Sequence, residues 1–424
     1  LFLILFISTS WSVSYCKQFQ FNPNGNFTIL QLTDTHLCGD GGDDVTLGVI
    51  KNLTEASQPD LIVLTGDIFS AACNRSAEWL VQEWEKLTQL FTDLNVNYAI
   101  TLGNHDRDGE MTAQEIMALD MKHPLSVSNT SNFSNPSTYT IPIFSYLKEG
   151  EVSANLWILD SGAYSCRGDS YSYGCIEDEE VAWYNQESVK FKQHYGTRAH
   201  HLAFFHIPIP EYMNLYNNGE VYGHKGELVC CPLHNTGFFE AVKKNGDITA
   251  MFCGHDHVNN YGGWLDGIEL IYGRKTGKGY YGPNGPNIPY TQYGGRVIVL
   301  TETLDENWDL VVTREHHVLN QDKTIEEEVL VEIEVTNPQL ECKSFATRPP
   351  PANQEEKEED DEEEKNVLLA ILLPILVVVL AGGIGGTVIY MKRKKMIKMI
   401  KMSEDQIEVK ITPCKQRSGD NYNF

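Results

Sequence analysis

Residues of the kinds that bind metal ions follow five short apolar stretches of this chain. Each stretch is rich in β-branched or aromatic residues and predicts a buried strand, and together they span 28–33, 61–65, 98–102, 202–205 and 248–253. The polar residues directly behind them include Asp34, His36, Asp67, Asn104, His206, His255 and His257. Because ligands at the carboxyl ends of strands meet at one edge of an open α/β sheet, we expect these side chains to converge on one sheet edge.

The residue types indicate the metals and the chemistry. Mixed imidazole and carboxylate ligands suit Fe, Mn or Zn, whereas ligands that are all oxygen would favour Mg or Ca. Two such ions about 3.5–4 Å apart share a bridging anion, bind a phosphate and lower the pKa of a bridging water until hydroxide forms near neutral pH. A histidine that is not bound to metal then protonates the leaving oxygen. Each motif alone is common, but all five in this order predict a site for two metal ions.

The five motifs resemble those of the calcineurin-like metallophosphoesterases over residues 27–302. They read DTH at 34–36, GD at 66–67, GNHD at 103–106, H at 206 and GHDH at 254–257. Further stretches are similar to the purple-acid-phosphatase-like branch of plants and fungi, namely 156–162, 203–212, 235–239, 254–263 and 294–300. The resemblance implies an α/β fold, a β-sandwich flanked by helices in the layer order α/β/β/α.

The resemblance also implies a role for each residue of the motifs. The first metal ion would be bound by Asp34, His36, Asp67 and His257. The second would be bound by Asp67, Asn104, His206 and His255. Asp67 would then bridge the two ions, His105 would be the general acid, and Asp106 would orient His105.

One position departs from the purple acid phosphatases proper. Those enzymes carry a GDxxY motif whose tyrosine binds metal and gives the colour, but residues 66–70 read GDIFS here. The first motif contains His36, which takes the role of the tyrosine. The predicted ligands are therefore those of the wider superfamily, and the metal stays open among Fe, Mn and Zn.

Two further apolar stretches predict how the chain relates to a membrane. Residues 1–15 are typical of a secretory signal peptide, and the uncharged residues 367–391 are long enough to span a bilayer. The basic residues 392–395 follow at once and indicate the cytoplasmic side. We predict a type I membrane protein with one span and an extracellular or lumenal catalytic domain. Its segments are a signal peptide (1–16), a metallophosphoesterase domain (17–345), a proline-rich and acidic stalk (346–366), a transmembrane helix (367–391) and a basic cytoplasmic tail (392–424).

Glycosylation motifs and cysteines agree with a secretory route. Five Asn-x-Ser/Thr triplets precede the predicted span and begin at Asn26, Asn52, Asn74, Asn129 and Asn132. An even number of cysteines, typical of disulfide pairing, occupies positions 38, 73, 166, 175, 230, 231, 253 and 342. Cys166 and Cys175 flank a short loop and are the pair that we favour.

The charge distribution limits the partners. The chain has a formal net charge of −25, and residues 355–365 form an acidic block typical of a solvated spacer. Because the predicted domain offers no basic face, we expect no nucleic acid as substrate. A phosphorylated small molecule or a phosphoprotein is the expected substrate, and the basic tail is expected to lie against the inner leaflet.

The predicted function is a membrane-anchored phosphatase that hydrolyses phosphomonoesters by in-line attack of a hydroxide between two metals. Two alternatives remain open. A phosphodiesterase would use the same metal pair and differ in its loops. A non-catalytic surface receptor on the same fold is less favoured, because retired enzymes usually lose ligands and none is missing here.

Overall fold

The computed structural model describes residues 18–70, 73–283 and 292–342. These residues belong to a compact unit, Lys17–Arg348. The predicted signal peptide, stalk, membrane span and tail lie outside the described residues, so they stay predictions. No helix within the described residues is long and apolar enough to cross a membrane.

One sheet of the described domain contains seven strands. In order across the sheet they are β1 (Phe19–Gln20), β5 (Tyr139–Phe144), β6 (Val152–Ile158), β7 (His200–Phe204), β9 (Ile248–Cys253), β11 (Ile268–Tyr272) and β10 (Gly262–Leu265). Strands β6, β7, β9 and β11 run parallel, so their carboxyl ends share one edge of the sheet. Strand β5 is antiparallel to β6 and ends at the opposite edge.

A second sheet of the described domain contains six strands. Their order is β14 (Ile325–Glu326), β13 (Leu310–Asn320), β12 (Gly294–Leu304), β2 (Asn26–Leu32), β3 (Leu61–Thr65) and β4 (Tyr98–Thr101). Strands β2, β3 and β4 are parallel neighbours. A small ladder pairs β8 (Glu220–Val221) with β15 (Val331–Glu332).

Helices cover the outer faces of the two sheets. They are α1 (Gly41–Ser57), α2 (Ala77–Leu94), α3 (Ala113–Asp120), α4 (Asp178–Tyr195), α5 (Glu211–Asn218) and α6 (Phe238–Asn245). Side chains alternate along β6: Leu156 and Ile158 join the core shared by both sheets, α1, α2 and α3. Trp157 and Leu159 point the other way, into a second core with α4, α5 and α6. The mixed α/β class predicted from the sequence is confirmed.

The strands that carry the motifs are where the sequence predicted them, but they do not belong to one sheet. Strands β2, β3 and β4 lie in the six-stranded sheet, whereas β7 and β9 lie in the seven-stranded sheet. The expectation of a single sheet edge is therefore wrong, because strand patterns predict burial and not strand order. The carboxyl ends of both sets still meet: the Gln31 side chain of β2 donates to the Cys253 carbonyl of β9 at 3.1 Å.

Three disulfides link loops of the described domain. The predicted Cys166–Cys175 pair is confirmed, and the other two are Cys38–Cys73 and Cys231–Cys342. Six of the eight cysteines in the described domain thus pair, and the other two, Cys230 and Cys253, are buried outside these disulfides. Disulfides persist in oxidising environments, so these three are typical of a secreted or extracellular domain.

Candidate metal centre

The fold brings the predicted ligands together in two groups that share Asp67. Within each group the possible ligand atoms all lie within 4.8 Å of one another, the first being Asp34, His36, Asp67 and His257 and the second Asp67, His206 and His255. Asn104 adjoins the second group, because its Oδ1 lies 3.2 Å from His206 Nε2. All seven side chains are buried. This arrangement resembles a site for two metal ions.

Backbone carbonyls turn the imidazoles of His206 and His257 toward the centre of the cluster. His206 Nδ1 lies 2.8 Å from the Thr65 carbonyl oxygen, and His257 Nδ1 lies 2.8 Å from the Tyr281 carbonyl oxygen. A carbonyl only accepts hydrogen bonds, so each neutral ring carries its proton on Nδ1 and a lone pair on Nε2. His206 Nε2 then faces Asp67 Oδ2 at 3.2 Å, and His257 Nε2 faces Asp34 Oδ1 at 3.4 Å. Lone pairs directed at carboxylate oxygens repel them unless a second ring proton or a metal ion lies between the two atoms.

Three buried polar atoms at the cluster lack a hydrogen-bond partner among the described residues. They are Asp34 Oδ1, Asp67 Oδ2 and His255 Nε2. The other oxygen of each carboxylate is held, since the Thr33 hydroxyl donates to Asp34 Oδ2 at 2.7 Å and the His105 backbone amide donates to Asp67 Oδ1 at 2.8 Å. Buried polar atoms are normally satisfied. The donor set therefore fits metal ions at these three atoms.

Burial lowers the pKa of three of the four histidines of the cluster, whereas the neighbouring carboxylates have the larger effect at the fourth. Burial lowers the pKa of His206, but the neighbouring Asp67 and Asp34 carboxylates outweigh it and raise the pKa to about 9. Burial, with the Asp67 charge beside it, raises the pKa of Asp106 to about 7. Both shifts have the direction that an excess of buried negative charge produces.

The backbone is strained at four of the predicted ligands. Asp34, His36, Asp67 and His255 adopt positive φ angles of 53°, 46°, 49° and 77°. Such angles are uncommon for residues other than glycine, and strained backbone of this kind clusters at functional sites.

Glycines in the motifs allow the loops of the two sheets to approach one another closely. A Cβ at Gly103 would lie 2.2 Å from Asp67 Oδ1, and one at Gly254 would lie 1.9 Å from Thr33 Oγ1. Neither gap admits a side chain. The glycine of each motif is therefore required by the same packing that places the neighbouring ligand.

His105 lies beside the cluster at the start of a short helical turn, His105–Arg107. Its side chain is 17% exposed, and its Nδ1 lies 2.7 Å from Asp108 Oδ2. The prediction that Asp106 orients His105 is corrected: Asp106 accepts from the backbone amides of Phe69 and Gly103. Asp106 thus ties together the two loops that carry Asp67 and Asn104, while Asp108, one turn after His105, holds the imidazole.

Sequence reasoning missed several residues that position the ligands. Ser70, which stands where purple acid phosphatases have their tyrosine, lies with its hydroxyl 2.8 Å from His36 Nδ1. The Tyr164 hydroxyl accepts from Asn104 Nδ2 at 3.1 Å, so the other end of the amide, Asn104 Oδ1, faces His206. Lys275 is buried, donates to the Asp34 carbonyl at 2.9 Å, and has its pKa lowered to about 8 by burial. The sequence contains no signal for these three contacts. For the contact between His105 and Asp108, the i, i+3 spacing was a signal.

The sequence model of the calcineurin-like phosphoesterase family matches residues 27–259. The chain therefore belongs to the calcineurin-like phosphoesterase family. Its relatives include a protein of Arabidopsis thaliana named probable inactive purple acid phosphatase 14, which is 29% identical over 300 residues, 63% of this chain and 74% of the relative. Phosphatase DCR2 of Saccharomyces cerevisiae is 28% identical over 286 residues, 60% of this chain and 48% of that protein. A dimetal phosphatase from Danio rerio aligns with 72% of this chain and 98% of its own, at 11% identity and a TM-score of 0.45.

Proposed function

We propose that this protein is a metal-dependent phosphatase that hydrolyses phosphomonoesters. The observation that supports the proposal is the convergence of buried ligand atoms on two positions, with Asp34 Oδ1, Asp67 Oδ2 and His255 Nε2 lacking any hydrogen-bond partner among the described residues. A bound metal pair supplies an activated water at neutral pH and neutralises charge on the phosphoryl group. Fe, Mn and Zn suit the mixed imidazole and carboxylate ligands.

The chain's own residues have separate tasks in this proposal. The His105 backbone amide holds Asp67 Oδ1. Asp67 Oδ2 lies 3.2 Å from His206 Nε2 and 3.6 Å from His36 Nε2, so this oxygen would be offered to both groups. His105 gives a proton to the leaving oxygen. Asp108 accepts from Nδ1 of that ring, which keeps the other nitrogen, Nε2, as the atom that transfers the proton.

A generic assay tests the proposal and its phosphodiesterase alternative together. With 4-nitrophenyl phosphate and bis(4-nitrophenyl) phosphate as substrates, we expect a higher kcat/KM for the monoester. A higher kcat/KM for the diester would favour the alternative. Turnover of neither ester by metal-loaded protein would favour the remaining alternative, a non-catalytic surface receptor. Two Arabidopsis relatives are named probable inactive purple acid phosphatases.

We also propose that the domain faces the cell exterior or a lumen, with a phosphorylated small molecule or a phosphoprotein as substrate, no nucleic acid, and a single span at 367–391. N-linked glycans test this orientation. Asn74, Asn129 and Asn132 are exposed, whereas Asn26 is half-buried and the Asn52 side-chain amide donates to the Gln321 carbonyl at 3.3 Å. We expect mass spectrometry of protein made in a eukaryotic secretory host to find glycans at the three exposed sites and none at Asn26 or Asn52. If none of the three exposed asparagines carries a glycan, the proposed orientation is contradicted.

Because the tyrosine of the GDxxY motif is replaced here, we expect the protein to lack the purple colour. The purple band needs a tyrosine bound to ferric iron, and Ser70 occupies that position. We expect iron-loaded protein to lack a strong visible charge-transfer band in its absorption spectrum. If a strong band appears, another tyrosine binds the metal. Tyr164, which contacts Asn104, and Tyr280, whose ring lies 4.8 Å from that of His36, are the candidates, and replacing each by Phe identifies which one binds.

A further inference from the structure

A tyrosine outside the predicted motifs lies over the histidines of the metal centre. The ring centroid of Tyr280 is 4.8 Å from that of His36, 4.9 Å from that of His105 and 6.3 Å from that of His257. Even so, 48% of Tyr280 is exposed. The ring therefore contacts the predicted acid and a predicted ligand while much of its surface remains open to an incoming molecule.

The backbone holds Tyr280 in this place. The segment 276–279 runs along the first motif, where the Thr276 amide donates to the Thr33 carbonyl at 2.9 Å. A Cβ at Gly277 would lie 1.8 Å from the Thr35 carbonyl oxygen, and one at Gly279 would lie 2.2 Å from the His36 carbonyl oxygen. Only glycine permits this approach. Tyr280 is thus set against the metal centre by close packing and is more than an incidental surface residue.

The residue after Tyr280 is anchored as well. The Tyr281 carbonyl accepts from His257, its ring stacks on His257 with centroids 4.2 Å apart, and its hydroxyl donates to Glu227 at 2.8 Å. Tyr280 itself has a positive φ of 61°, which is unfavourable for a residue with a side chain. A strained conformation between two anchored neighbours is typical of a residue that contacts a ligand.

We propose that Tyr280 is a specificity-determining residue that stacks on the leaving group of the substrate and selects aryl phosphate monoesters, the class that includes phosphotyrosine. This inference rests on the proposed function. His105 meets the leaving oxygen, so the group attached to that oxygen extends across the ring that adjoins His105. Aromatic rings stack on one another with a preference for offset or edge-to-face geometry.

The charged neighbours favour an uncharged leaving group. Asp108 accepts from His105, whose ring adjoins Tyr280, and Glu227 accepts from Tyr281, the next residue along the chain, so carboxylates are bound to two neighbours of Tyr280. Carboxylates repel a leaving group that carries a second phosphate. A neutral aromatic ring therefore fits this side of the site better than a nucleoside diphosphate does.

A pair of substrates tests the proposal. Their leaving groups have similar acidity, but only one leaving group contains an aromatic ring. Phenyl phosphate and hexafluoroisopropyl phosphate release alcohols of similar acidity, and only the first can stack. With the purified full chain, we expect Tyr280→Ala to lower kcat/KM for phenyl phosphate about three- to tenfold, the range of one aromatic pair, and to leave the alkyl ester within about twofold. Tyr280→Phe keeps the ring and should behave like the unchanged protein.

Tyr146 provides a matched control. It is also 48% exposed, and it follows β5, which ends at the opposite edge of the sheet from the metal centre. Tyr146→Ala should change neither substrate. Equal losses for both esters in Tyr280→Ala, or a loss in Tyr280→Phe as large as in Tyr280→Ala, would overturn the stacking role. If the unchanged protein hydrolyses neither ester, the proposed function itself fails, which is a different outcome.

Discussion

We expect Asp67→Ala to reduce bound metal from close to two ions per chain to less than one and to abolish measurable turnover. Asp67 is the residue that belongs to both groups of converging ligand atoms. Charge stabilisation by a metal pair is worth several kcal/mol, and about 1.4 kcal/mol corresponds to a factor of ten, so the loss in kcat should be about a thousandfold or more. Elemental analysis and steady-state kinetics on the same preparation measure both effects.

A buried aspartate far from the metal centre serves as the control for this variant. Asp247 is 7% exposed and accepts from Tyr184 and Ser188 just before the start of β9, whereas the predicted ligands follow the end of that strand. Asp247→Asn should lower the melting temperature and keep the metal content. If Asp67→Ala retains two ions per chain, Asp67 does not bridge them.

We expect His105→Ala to keep the metal content and to lower kcat about 10²–10⁴-fold for esters with poor leaving groups. The imidazole lies beside the cluster without belonging to either group of ligand atoms, and it is partly exposed. Leaving groups such as 4-nitrophenolate need little protonation, so the loss should be much smaller for them. A series of aryl phosphates with leaving groups of increasing pKa measures this dependence for the unchanged protein and the variant.

Two neighbouring aspartates sharpen the test of His105. Asp108→Asn should keep the metal and reproduce a weaker form of the leaving-group dependence, because Asp108 positions the ring. Asp106→Ala should instead lower metal content, because Asp106 joins the loops that carry Asp67 and Asn104. Equal slowing of good and poor leaving groups in His105→Ala would refute the acid role, as would loss of metal.

The sequence predicted the parts of the site that depend on short stretches of chain. An apolar run followed by Asp34, Asp67 or His206 identifies a strand and its ligand together. The carboxyl ends of parallel strands share an edge, so ligands in this position come close together. Which sheet each strand joins depends on contacts between distant residues. The prediction of one sheet edge was wrong for that reason, although both sheets bring their ligands to the same place.

The parts that the sequence did not predict depend on turn geometry and on packing of distant loops. Asp106 and Asp108 are equally plausible partners of His105 until the backbone of the short turn is known. Tyr280 reaches His36 across more than 240 residues of chain only because Gly277 and Gly279 let two loops touch. Disulfide connectivity cannot be deduced from spacing alone, and the confirmed Cys166–Cys175 pair was the one enclosed in a short loop.

In the proposed function, two metal ions bound by the seven clustered side chains make this protein a phosphomonoesterase. Titration of chelator-treated full chain with Mn, Zn or Fe, with bound metal and phenyl phosphate turnover measured at each point, tests it most directly. We predict that turnover rises with metal and reaches its maximum close to two bound ions per chain. Full turnover in protein that contains no transition metal would contradict the proposed function.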